Sequence, residues 1–130
     1  MKFRRASLAA SITFATAITL FNSSSAYAGT DAFASNGGIN TYGAGAGQAS
    51  FASYGDEYYV YDNIADGHGV ELRIWDYDSI RTKVCNASAG NYCVYNYNLP
   101  EGSDVEIQVC LTEKSVTISG SCGYSTKGKA

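Results

Sequence analysis

The chain has 130 residues, with 12 acidic and 9 basic side chains, a formal net charge of −3, one proline, four cysteines and a single histidine. This length fits one domain rather than several. The acid excess excludes the basic footprint that nucleic acid or an anionic membrane needs in a partner.

The N-terminus runs from basic Met1-Lys2-Phe3-Arg4-Arg5 through an apolar stretch, Leu8 to Phe21, to small residues ending Ala26-Tyr27-Ala28. That order of charge, apolar run and small-residue cleavage site predicts a secretory signal peptide over 1–28. A membrane anchor is the competing reading. It wants about 20 apolar residues, and here Ser11, Thr13, Thr16 and Thr19 interrupt a shorter run. No membrane span is expected in the mature form, and the localisation read from this segment is secreted, extracellular. Removing residues 1–28 from the 130 leaves 102; all 12 acids stay while Lys2, Arg4 and Arg5 go, so the mature net charge becomes −6.

Residues 29–47 are mostly Gly, Ala, Ser, Asn and Thr, including Tyr42-Gly43-Ala44-Gly45-Ala46-Gly47. Such a stretch buries little to offset its ordering entropy, so a flexible arm is expected, followed by a disulfide-stapled β domain over 48–130. From Gln48 onward β-branched and aromatic residues alternate with polar ones between turn signals, with no helical periodicity. Strands are expected at Ala49 to Ser53, Glu57 to Asp62, Val70 to Tyr77, Arg81 to Asn86, Tyr92 to Asn98, Asp104 to Thr112 and Val116 to Ser119. About seven strands of this kind predict an all-β fold, a small antiparallel sandwich or barrel.

Two hairpins are expected. Folding back across 63–69 sets Val60 opposite Leu72 and Tyr58 opposite Ile74 on an apolar face, and Tyr59 opposite Arg73, Tyr61 opposite Glu71 and Glu57 opposite Trp75 on the other. A second, with Gly90 in the left-handed position, pairs Cys85 with Cys93 directly, close enough for a disulfide. Cys110 and Cys122 are left as the second bridge. Disulfides are the default for four cysteines in an exported chain. The cysteine spacings are too wide for a zinc site and His68 is the sole histidine, so no metal ligand set and no cofactor is assigned. Val105, Ile107, Val109 and Leu111 alternate as a central strand of the core.

Residues that could carry chemistry each have a plainer reading. His68 lies in a loop with Asp66 nearby, but most single loop histidines are solvated or structural, and no nucleophile or orienting carboxylate is legible beside it. Asp56, Glu57, Asp76, Asp78, Glu101, Asp104 and Glu106 could pair as glycosidase acids, yet that chemistry needs a sugar-wide cleft that so small a domain has little room for. Asp62, Asn63, Asp66, Gly67 and Glu71 resemble a calcium loop, but Ile64 stands where an oxygen ligand is required; a looser site using Asp62 and Asp66 stays open beside a simple Asp66-Gly67 turn. Asn86-Ala87-Ser88 fits the N-glycosylation sequon. No catalytic constellation is recognisable, so the chain reads as a non-enzyme.

The strongest functional signal is aromatic. Tyr59, Tyr61, Trp75 and Tyr77, with Arg73 among them, are expected on one side of the first hairpin. Rigid amphipathic rings give contact area at little entropic cost. The alternative is that this side packs against a second sheet as core. The expected function is a non-enzymatic binding module for an extracellular protein or glycan, with inhibition of a secreted hydrolase, an amylase or protease, as the other reading.

The run Tyr54 to Val70, above all Ala65-Asp66-Gly67-His68, resembles a pattern in small secreted actinobacterial proteins that have a Gly-acidic start, an aromatic strand, an Ala-Asp-Gly turn and two late cysteines like Cys110 and Cys122. The resemblance covers about Phe51 to Cys122 and implies a secreted β domain with no established activity to transfer; the Cys85 and Cys93 pair departs from it. A second likeness is to secreted proteinaceous amylase inhibitors, whose Trp-Arg-Tyr triplet is answered here by Trp75-Asp76-Tyr77, without the arginine.

Overall fold

The period of two in the apolar residues decides which way each strand faces, and every regular element among the described residues is a strand. The computed structural model describes residues 28–37 and 43–130, so the expected signal peptide lies outside them except for Ala28. The strands are β1 Ala32–Ser35, β2 Gly47–Ala52, β3 Glu57–Asp62, β4 Gly69–Asp76, β5 Ser79–Cys85, β6 Asn91–Asn96, β7 Asp104–Glu113, β8 Val116–Thr117 and β9 Thr126–Lys129. They form two antiparallel sheets, β1-β2-β3-β6 and β5-β4-β7-β8, with β9 also pairing β7. The fold is an all-β sandwich with two disulfides, as expected.

The inner faces hold the residues that alternation selects. Phe51, Tyr58 and Val60 point in from the four-stranded sheet, and Val70, Leu72, Ile74, Val105, Ile107, Val109 and Leu111 from the other; all are at most 1% exposed. Each of these apart from Tyr58, whose hydroxyl is buried with them, contributes roughly 1.5–3 kcal/mol by leaving water.

Both expected hairpins are corrected. β3 pairs β2 and β6, whereas β4 pairs β5 and β7, so Val60 meets Leu72 across the core and not beside it. Residues 63–69 cross between sheets. At about 3.3 Å per residue they reach well beyond the ~10 Å that separates packed sheets. Crossing also covers both apolar faces, which an isolated two-stranded ribbon leaves wet. Likewise β5 and β6 are edges of different sheets. Cys85–Cys93 forms as expected, with Cα atoms 5.9 Å apart, but it ties the two sheets together instead of closing a hairpin. Around it, the Tyr95 hydroxyl donates to the Val84 carbonyl at 3.3 Å. The Arg81 guanidinium stands 4.6 Å from the centre of the Tyr97 ring, and the Lys83 ammonium 5.7 Å from that of Tyr95. Cys110–Cys122 pins the segment after β8 onto the outside of β7.

The expected arm over 29–47 is corrected as well over 29–37 and 43–47, its remaining residues lying outside those described. β1 lies within it and pairs β2 along its length, Ala32 with Phe51 and Ala34 with Ala49. Ala32 and Ala34 are buried. Asn36, also buried, accepts from the Gly47 amide at 2.9 Å and donates to the carbonyls of Gly37 and Gly43 at 3.0 Å. Thr30 and Lys129 exchange two backbone hydrogen bonds of 2.8 Å, lacing this edge to β9. These bonds offset the ordering cost that low apolar content alone would leave uncompensated.

Candidate functional site

Outward positions on the four-stranded sheet are set by parity. Because Cys93 turns inward to meet Cys85, its neighbours Tyr92 and Val94 turn outward. Register then places Tyr61 beside Tyr92 and Tyr59 beside Val94. The rings touch: Tyr59 and Tyr61 are 6.5 Å apart with planes 16° from parallel, and Tyr92 lies 6.1 Å from Tyr59 and 5.6 Å from Tyr61. Ser50 stands between Tyr59 and Phe33 across β2. Phe33, Tyr92 and Val94 are 54%, 56% and 45% exposed, so the sheet presents a cluster of three tyrosines flanked by Val94, with Phe33 one strand farther on beyond Ser50.

The polar groups on this face are mostly neutral. Gln48 flanks Tyr61 on β2 and Asn96 flanks Glu57 on β6, and Asn63 Nδ2 donates to Gln48 Oε1 at 3.0 Å. The Tyr59 hydroxyl donates a short hydrogen bond to the Glu57 carboxylate. That bond, and then partial desolvation, hold the phenol above its ordinary acidity range. No lysine or arginine occupies an outward position on β1, β2, β3 or β6.

The five residues expected to share one face are divided between two. Tyr59 and Tyr61 belong to the surface just described. Arg73 and Trp75 project from the opposite side of the molecule, on β4, and Tyr77 sits in the β4–β5 turn, 71% exposed. The reason is the crossing at 63–69, which carries β4 into the other sheet. Arg73 Nε binds Glu71 at 2.6 Å, and the Thr117 hydroxyl donates to the same carboxylate at 2.6 Å. Trp75 lies between Ile80 and Glu106 and lines a cavity of about 310 Å³ with Asp104, Val105 and Lys127. Within the triplet Trp75-Asp76-Tyr77, the Asp76 carboxylate accepts from Ser79 at 2.7 Å and pairs with Arg81.

Tyr92, Val94 and Phe33 were not read from sequence as part of the surface. For the first two the signal existed, since an inward Cys93 forces its neighbours out. Phe33 was hidden by the alanine- and glycine-rich composition around it.

His68 lines a cleft of about 340 Å³ with Asp62, Asn86 and Ser88, where the β3–β4 crossing meets the loop after β5. Asp66 Oδ1 accepts from the His68 amide at 2.9 Å, with Gly67 at φ +81° completing the turn. Among the described residues no group of three or more His, Cys, Asp or Glu is arranged to hold a metal ion. No helix among them is long and apolar enough to cross a membrane.

Asp62 is 6% exposed, and desolvation raises its pKa above the ordinary 3.8, the Ile64 amide and His68 opposing. A raised carboxylate pKa in the fold means that ionisation costs stability. The penalty is complete above the folded value and disappears as pH falls below the unfolded one. Asp62→Asn, which keeps the acceptor for Ile64, is therefore expected to raise the urea midpoint at pH 7, with the gain over wild type vanishing near pH 3. A gain that grows on acidification would contradict this.

Comparison of the chain with protein-family models, curated proteins and solved structures finds no match.

Proposed function

We propose that this chain is a secreted, non-enzymatic binding module that engages an extracellular partner with the outer face of its four-stranded sheet. One observation carries the reading: three tyrosine rings in mutual contact at the surface, extended by exposed Phe33 and Val94. Water-facing apolar area of this kind favours association, because covering it recovers hydrophobic free energy. The rings lose little entropy when bound, since β3 is paired on both sides and the rings already pack on one another. Two disulfides suit the oxidising space outside the cell, and the pattern over 1–28 supplies the route.

The test is retention of the purified protein on immobilised extracellular proteins and glycans. Tyr59→Ala/Tyr61→Ala/Tyr92→Ala is expected to lose at least tenfold in affinity, about 1.4 kcal/mol, at a nearly unchanged thermal midpoint. Trp75→Ala, on the opposite sheet, is expected to lose none. Equal retention of the triple variant and wild type would end this reading.

A further inference from the structure

Resting on that reading, we infer that the occupant of the tyrosine face is an uncharged polysaccharide presented as a flat, insoluble surface. The first ground is shape. Neither the cleft near His68 nor the cavity near Trp75 is lined by Tyr59, Tyr61 or Tyr92, and neither is a third hollow formed by Gly29, Ser53, Tyr54 and Glu101. An enclosed small molecule needs concavity that removes most of its surface from water, and a protein anchor residue needs a pocket to fill. An open row of rings, with Tyr92 tilted 49° from Tyr59 and 43° from Tyr61, offers neither and instead leaves room for an extended partner surface.

The second ground is charge. The outward positions of the four strands carry one ionisable acid, Glu57, already bonded to Tyr59, and no cation. Lys127 and Lys129, which could have attracted anions, lie on β9 and pair with Glu106 and Asp104. With a mature net charge near −6 from the sequence, sulfated or uronic glycans and anionic lipid would be repelled. Protein partners gain orientation and specificity from complementary charges, and this face supplies almost none.

The third ground is the pairing of chemistries. A pyranose with equatorial substituents has an apolar face of axial C–H bonds and a rim of hydroxyls. The C–H face lies against the negative face of an aromatic ring, and the rim finds the neutral polar groups of Gln48 beside Tyr61 and Ser50 beside Tyr59. Ring spacings of 5.6–6.5 Å are comparable to one pyranose unit, so neighbouring rings serve neighbouring sugars of an extended chain.

The experiment depletes the disulfide-bonded protein from solution with microcrystalline cellulose and with chitin, alongside soluble oligosaccharides of both and immobilised heparin. The expected result is depletion by at least one of the insoluble polymers that persists in 1 M salt, where screening removes ionic contacts. The soluble oligosaccharides should bind at least tenfold more weakly, because fewer sugars engage at once. Tyr59→Ala/Tyr61→Ala/Tyr92→Ala should abolish the depletion, and Tyr92→Ala alone, at the most exposed ring of the three, should weaken it severalfold with the fold intact by near-ultraviolet circular dichroism. No depletion by either polymer, equal depletion of the variants, or salt-sensitive binding to heparin alone overturns the inference. Tyrosine-dependent binding to an extracellular protein and to neither polymer would keep the binding module and discard the polysaccharide; a triple variant that loses nothing against any partner would discard both.

Discussion

Replacing Cys85 and Cys93 together by alanine is expected to lower the unfolding free energy by about 2.5 kcal/mol, from the closure entropy of a loop with a sequence separation of 8. That is a large fraction of the 5–15 kcal/mol typical of a domain. The consequence is more than entropic, because this bridge joins edge strands that share no backbone ladder. Without it, the β5–β6 side of the sandwich is held by the Tyr95–Val84 hydrogen bond, the cation–ring contacts of Arg81 and Lys83, and the apolar core. Urea denaturation measures the loss, and hydrogen exchange should show β5 and β6 opening first. The same change at Cys110 and Cys122, with a separation of 12, removes closure entropy of about 2.8 kcal/mol, but its local effect should be confined to residues near 118–123. A loss below about 1 kcal/mol for the Cys85/Cys93 variant would show that the apolar faces alone hold the sheets in register.

Gly123→Ala is expected to be as damaging, about 3 kcal/mol, the upper end of the usual cost of overpacking. An added Cβ would sit 1.8 Å from the Ser35 carbonyl oxygen and 3.0 Å from its carbon, both backbone atoms. The residue cannot withdraw, because its amide donates to Val109 at 2.9 Å and its neighbour Cys122 is tethered to Cys110. Approach is equally close from the other side, where a Cβ on Gly37 would stand 2.6 Å from the Cys122 carbonyl. The predicted signature is a lower thermal midpoint with faster amide exchange along β1. Gly67→Ala is the contrast: its φ is +81° with open space around it, so only conformational strain of about 1 kcal/mol is expected. Equal effects at the two glycines would mean that β1 does not dock against residues 121–123 in solution.

The alternation of β3, β4 and β7 makes the inward set legible in the sequence, because side-chain direction has a fixed period of two in any extended strand. Neighbour identity has no such local signature. Val60 and Leu72 point inward whether residues 63–69 fold back or cross over, so the pattern was the same for the hairpin and for the sandwich. The functional reading inherited that ambiguity, and Arg73, Trp75 and Tyr77 were assigned to the face of Tyr59 and Tyr61 from which the crossing removes them. The cysteine pairing was right while its geometry was not, since a hairpin and an inter-sheet bridge both bring two Cα atoms within disulfide range. β1 and β9 leave no mark in the sequence pattern because the first buries only alanines and the second, Thr126–Lys129, holds no large apolar residue; both are kept in place by backbone pairing, which composition does not record.

The cations that close the β5–β6 seam have a further effect. β5 ends its sheet, so one side of its backbone has no strand beside it, and unpaired strand borders are where chains join into fibres. Any newcomer continuing the sheet there would seal Arg81 and Lys83 beneath its own inner surface and strip them of the water they still touch. Inward-directed charge at such a border is a recognised deterrent, opposing growth by strand addition along that margin.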